Sequence, residues 1–227
     1  MKKQEVRGLI EQIGIVPVIR ASSPQEARFA AEAVCQGGIP IVEITMTVPK
    51  ALEVISELVK TAPEVLVGAG TVLSEEMARK CADAGAQFLV SPGFNAPTVA
   101  AARTLDLLMV AGALTPTEVM MAWNSGADFV KVFPCGNLGG PSYIKALKGP
   151  LPQVALIPTG GVNLDTAADY IRAGAAALGV GGDLVPKEVL ETRQTEVIRA
   201  LAARFVELVK AARNQTAAKT EHAAEAR

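Results

Sequence analysis

Eight short apolar runs, none alternating with polar residues, recur along the chain, and helix-start signals separate each from the next. They occupy residues 15–19, 41–45, 65–68, 87–90, 107–110, 129–132, 155–157 and 176–180. Continuous apolarity over so short a length is the pattern of parallel strands covered on both faces. Between them stand Ser23-Pro24, Val48-Pro49, Ser74 before Glu75 and Glu76, Asn95, Thr115-Pro116, Pro141-Ser142 and Asn163 to Asp165, each suited to opening a helix. The repeating unit is strand, then helix.

A longer period lies over this one. A helix-ending glycine just before a strand recurs at Gly37-Gly38, Gly85, Gly126 and Gly174, each interval holding two strand–helix units. Four such pairs predict an α/β fold, a (β/α)8 TIM barrel, as one domain over residues 1–213. The competing architecture is an open Rossmann-like sheet, whose G-x-G-x-x-G fingerprint would follow the first strand; Arg20-Ala21-Ser22-Ser23 stands there instead. The patterning also predicts an extra N-terminal helix over 2–13 and a C-terminal amphipathic helix over 195–212. The latter carries Val197, Ile198, Leu201, Phe205, Leu208 and Val209 on one stripe. The polar, Ala-rich stretch 214–227 reads as a disordered tail.

Composition removes whole classes of chemistry. The one histidine, His222, lies in that tail. A Ser-His-Asp or Cys-His nucleophile, a His-ligated metal and a His general base are therefore not expected. Lys plus Arg is 22 against 23 for Asp plus Glu, net charge −1, so no field attracts nucleic acid or an anionic membrane. Cys35, Cys81 and Cys135 are odd in number and form no CxxC pair, which points to free thiols in a reducing cytoplasm rather than disulfides or a zinc knuckle. No apolar run approaches the roughly 20 residues of a membrane span, and Glu5 and Arg7 interrupt any signal-peptide core.

In such a barrel the reacting groups project from the carboxyl ends of the strands. Polar residues there are Arg20, Glu43, Thr45, Thr71, Ser91, Lys131, Thr159 and Asp183. Lys131 is the most informative, because it interrupts the apolar run Phe129-Val130-Lys131-Val132-Phe133. Burial disfavours the charged form of an amine. A neutral amine attacks carbonyls, the condition for a Schiff base. The bland alternative is a lysine whose stem carries its charge out to solvent. Glu43 interrupts Ile41-Val42-Glu43-Ile44-Thr45 in the same way, and serves either as a proton shuttle for the lysine or as a structural ion-pair partner. Paired glycines at Gly160-Gly161 and Gly181-Gly182, after strands seven and eight, suit a phosphate site, or else two tight turns.

Five motifs in order resemble one family: Val42-Glu43-Ile44-Thr45, Val67-Gly68-Ala69-Gly70-Thr71-Val72, Ser91-Pro92-Gly93, Val130-Lys131-Val132-Phe133-Pro134 and Pro158-Thr159-Gly160-Gly161. They are similar to the class I aldolases that cleave 2-dehydro-3-deoxy-6-phosphogluconate (KDPG), together with their relatives acting on 4-hydroxy-2-oxoglutarate (KHG). The resemblance implies an enzyme, a carbon–carbon lyase. It would release pyruvate and glyceraldehyde 3-phosphate from a small-molecule keto acid, with no cofactor and no metal, as a homotrimer. It implies Lys131 as the Schiff-base lysine and Glu43 as the acid/base. Thr71 would bind the substrate carboxylate, Pro92 and Phe133 would line the pocket, and Gly160, Gly161, Gly181 and Gly182 would meet phosphate; Thr45 and Thr159 complete the substrate-binding set. Two departures stand out. Thr47 occupies a position where many members carry a carboxylate-binding arginine, for which Arg20 is the substitute expected here. Gly182, followed by Asp183, replaces a phosphate-binding serine. The rivals from other classes are a phosphate-binding barrel isomerase or epimerase using Glu43 as a simple base, and a non-catalytic assembly scaffold.

Overall fold

The computed structural model describes residues 1–225. Helix α1 (Lys3–Ile13) precedes β1 (Ile15–Ile19), and the chain then alternates α2 (Pro24–Gln36), β2 (Ile41–Thr45), α3 (Ala51–Thr61), β3 (Leu66–Gly70), α4 (Glu75–Asp83) and β4 (Phe88–Val90). It continues with α5 (Ala96–Thr104), β5 (Leu108–Ala113), α6 (Pro116–Asn124), β6 (Phe129–Val132), α7 (Pro141–Lys148), β7 (Leu156–Pro158), α8 (Ala167–Arg172), β8 (Leu178–Val180), α9 (Lys187–Glu191) and α10 (Thr195–Glu225). Every strand pairs in parallel with its neighbour in sequence, and β1 also pairs with β8 through Ile15↔Leu178, Val16↔Gly179 and Pro17↔Val180. The last gap is joined by a parallel bridge between Thr159 and Gly179. The sheet therefore closes into a (β/α)8 barrel, and the open-sheet alternative falls because no strand order reverses.

Local chemistry accounts for most helix starts. The Ser23, Ser74, Asn95 and Thr115 side chains each accept a hydrogen bond from the backbone N–H three residues on, and Pro24, Pro116 and Pro141 sit in first turns. The Val48-Pro49 signal falls two residues short. Lys50 takes φ 55°, in the left-handed region, and α3 opens at Ala51. The predicted helix end at Ala212 also moves: α10 runs on to Glu225, through most of the stretch expected to be disordered, while residues 226 and 227 of that stretch lie outside the described residues.

All eight strands are buried on both faces. Inside the barrel the Phe88 ring fills the space left by Gly68, where a Cβ would stand 2.3 Å from it. Outside, α10 lies on α8 and α2, burying Ile198, Ala202, Phe205 and Val209. Gly37 permits that approach, since a Cβ there would be 2.4 Å from the Ala202 methyl. The amino-terminal end of the barrel is covered by α1, whose Arg7 guanidinium sits 5.3 Å from the Phe129 ring centroid and whose Lys3 pairs with Asp128 at 3.0 Å. Among the described residues no helix is long and apolar enough to cross a membrane.

Candidate active site

The strands present two ionisable groups to the barrel interior. Glu43 on β2 is 2% exposed and Lys131 on β6 is 4% exposed. Lys131 therefore does not carry its ammonium out to bulk water, and its Nζ lies 5.2 Å from the centroid of the Phe133 ring, in cation–π range. β2 and β6 face each other across the barrel, so the two side chains converge from opposite walls. Burial pushes the Glu43 carboxyl above the usual carboxylate range; the charges of Lys131 and then Arg20 pull against that rise. Glu43 Oε1 has no hydrogen-bond partner, so a buried acceptor faces the interior with its capacity unused.

Glycines make room for this pair. A Cβ on Gly70 would lie 1.9 Å from Glu43 Oε1, so the carboxylate occupies what would be a side-chain position on β3. Gly112, which pairs with Lys131 across β5–β6, has the Pro92 backbone where its own Cβ would be, 2.2 Å from the Pro92 carbonyl carbon. Ser91 Oγ accepts from Gly112 N–H at 3.1 Å and ties down that turn. Pro92 is thereby folded over the strand beside the lysine. Thr45, fully buried, follows Glu43 on the same face of β2 and donates to the Ile19 carbonyl at 3.0 Å. Thr71 closes β3 with φ 61°, a left-handed conformation that costs a β-branched residue energy and clusters at functional sites.

Arg20, Phe133, Thr159, Gly160, Gly161, Gly181 and Gly182 line one small cleft of about 80 Å³ at the carboxyl end of the barrel, together with Val18 and Asp183. Gly160 and Gly161 have φ 82° and 78°, values that only glycine adopts freely. Their loop is held by Cys135 N–H to the Thr159 carbonyl at 2.9 Å and Gly136 N–H to the Gly160 carbonyl at 2.8 Å. The N–H groups of Gly161 and Gly182 have no protein acceptor among the described residues. Arg20 brings a positive charge and Asp183 a negative one. Glu43, Thr45, Thr71, Pro92 and Lys131 are not in this cleft's lining. Larger grooves, of about 450 Å³ between α3 and α4, where Met46, Val48, Leu52 and Met77 stand among charged residues, and about 830 Å³ under α1, hold neither Glu43 nor Lys131.

Sequence reasoning missed the parts that carry no chemistry of their own. Val18 sits in an apolar strand and gave no signal. Gly70 and Gly112 matter for the volume they leave free, and only the first fell inside a quoted motif. The hydroxyl of Thr47 lies 2.7 Å from that of Thr45, a contact that a substitution read as a mere loss did not suggest.

Comparison with known proteins places this arrangement. The family model for KDPG and KHG aldolase matches residues 6–201. The KHG/KDPG aldolase of Escherichia coli is 36% identical over 194 residues, 85% of this chain and 91% of that one. A KDPG aldolase from Legionella pneumophila, solved with pyruvate captured at low pH as a covalent carbinolamine intermediate, superposes with TM-score 0.81 at 30% identity, covering 87% of this chain and 96% of that one. A cube-shaped, highly porous cage designed by fusing symmetric oligomeric domains superposes with TM-score 0.85 at 30% identity, over 94% of this chain and 78% of that one. With its closed barrel and five motifs in order, this chain belongs to the KDPG and KHG aldolase family.

Proposed function

We propose that the chain is a Schiff-base aldolase that cleaves a 2-keto-3-deoxy sugar acid, first among them 2-dehydro-3-deoxy-6-phosphogluconate, to pyruvate and glyceraldehyde 3-phosphate. The observation that carries this reading is the pair of buried ionisable groups, Lys131 and Glu43, converging inside an otherwise apolar barrel. Lys131 Nζ attacks the C2 carbonyl, and Glu43 delivers the proton that lets the carbinolamine hydroxyl leave as water. The iminium then accepts the electron pair of the C3–C4 bond as the Glu43 carboxylate takes the proton of the C4 hydroxyl and the aldehyde departs. Glu43 returns a proton to C3 of the enamine, and water releases pyruvate from the lysine. Burial raises the Glu43 carboxyl above the usual carboxylate range, which favours its protonated, proton-donating form.

Arg20 and Thr71 are assigned to the substrate carboxylate, Thr45, Thr159, Pro92 and Phe133 to the pocket wall, and the Gly160-Gly161 and Gly181-Gly182 loops to the phosphate. Asp183 favours a second reading of the far end. Its carboxylate lines the same cleft and opposes a dianion, so 4-hydroxy-2-oxoglutarate and the unphosphorylated sugar acid belong in the same assay. The unpaired Cys35, Cys81 and Cys135 support a cytoplasmic location. The symmetric oligomeric domains fused in the related cage support an oligomer, and the homotrimer that the motifs imply is expected to sediment at three times the 23.6 kDa chain mass.

Incubation with pyruvate and borohydride, followed by digestion, should leave a reduced three-carbon adduct on Lys131. An unmodified Lys131 peptide from active enzyme overturns the assignment, as it would for a barrel isomerase, which survives this treatment.

A further inference from the structure

Two cavities meet at Gly182. One is the cleft of about 80 Å³ that holds the glycine loops; Phe133 is part of its wall, and the ring of Phe133 lies 5.2 Å from Lys131 Nζ. The other is a groove of about 390 Å³ between α2 and α9, about five times as large, and it shares Val18, Arg20 and Gly182 with the cleft. Gly182 is exposed at this junction, and a Cβ on it would have no atom from beyond its chain neighbours within 4 Å. Its φ lies outside the left-handed region, so the position does not require glycine for its backbone. The charges around the two cavities give no net attraction for a dianion: Arg20 and Lys187 stand against Glu26, Glu191 and Asp183. The groove's own carboxylates are already partnered, Glu26 accepting from Ser22 N–H at 2.9 Å and Ser22 Oγ at 2.8 Å, and Glu191 pairing with Lys187 at 3.6 Å.

We propose that Gly182 is a specificity-determining residue whose missing side chain joins the cleft to the groove, so that the enzyme accepts uncharged, polyhydroxylated aldehyde halves longer than three carbons. A keto acid held on Lys131 passes Phe133 into the cleft, and a tail that outgrows the cleft continues over Gly182 toward Ser22 and α9. Specificity is a difference between substrates, and a side chain at this junction would obstruct the long tail while leaving room for the short one. The inference rests on the aldolase reading above and extends its unphosphorylated branch by naming the length and charge of the tail.

The test uses the full-length enzyme in the condensation direction, with pyruvate and either D-glyceraldehyde or D-ribose. Ring closure of the pentose is the same with every enzyme and cancels between parent and variant. In Gly182→Leu the ratio of kcat/KM for ribose to that for glyceraldehyde should fall about 10-fold or more, the discrimination that a small change of room in a pocket gives. Gly182→Ala adds one methyl to open space and should show a smaller fall of the same sign, which keeps the test open if the leucine variant does not fold. A ratio unchanged in the folded variants, whether both aldehydes fall together or neither does, overturns the proposal, as does a parent that condenses glyceraldehyde but not ribose. A parent enzyme that forms no borohydride adduct with pyruvate overturns the aldolase reading instead, which keeps the two failures distinct.

Discussion

Glu43 is the residue at which stability and catalysis oppose each other. Its folded pKa is raised by burial, so the folded protein holds its proton more tightly than the unfolded chain does. The favourable contribution is complete below the unfolded value near 4.5 and is lost as pH climbs through the folded value. Glu43→Gln removes that dependence. Thermal melts should show the variant gaining more in Tm over the parent at pH 8 than at pH 4, while kcat falls about 10²- to 10⁴-fold. An equal gain at both pH values would mean that the carboxyl is not carrying the cost. Gly70→Ala attacks the same group from the neighbouring strand: a methyl 1.9 Å from Oε1 displaces the carboxylate. The expected result is a loss of about 1–3 kcal/mol by urea unfolding, accompanied by lost activity. Of this site, Lys131 and Glu43 were legible because a charge inside an apolar run is conspicuous. Gly70 and Gly112 were not, because an absent side chain gains meaning only from what fills its place.

Among the elements, α10 shows how far a periodic pattern can be trusted. Its apolar stripe was readable, and Ile198, Phe205 and Val209 are fully buried against α8 and α2. Phe205→Ala should cost about 3–5 kcal/mol in urea unfolding, the range for emptying a buried aromatic site, with KM for the keto acid unchanged because the helix packs on the outer ring. Its end was not readable from the stripe. The residues after Ala212 are rich in Ala, the strongest helix former, and a helix already nucleated by packing extends at little cost. Strands behaved similarly: β1, β2 and β6 have the bounds expected, whereas β5 runs three residues past Val110 because Ala111-Gly112-Ala113 pair in the ladder without looking like a strand. The five-residue α9 left no periodic signal.

At the scale of the molecule the barrel divides its ends between function and stability. The carboxyl end gathers the reactive groups; the amino end is secured by Asp128, which accepts from Met109 N–H at 2.8 Å and pairs with Lys3 at 3.0 Å. Asp128→Asn keeps the shape and removes the charge. It should lower stability by about 1 kcal/mol, modest because the pair is partly exposed, and leave kcat within twofold. A large drop in kcat would show that the two ends are coupled.

From the residue string alone came the repeating strand–helix unit, the eightfold count, the placing of the one histidine in the C-terminal stretch and the oddness of a lysine and a glutamate in apolar strands, because periodicity and charge are local properties. Only the folded barrel decided that β2 and β6 face each other, that Arg20 shares a cleft with five glycines, and that the Thr47 hydroxyl lies against that of Thr45. Those facts depend on closure of the sheet, which brings together residues about 90 positions apart along the chain and sets the direction of each hydrogen bond by what lies across from it.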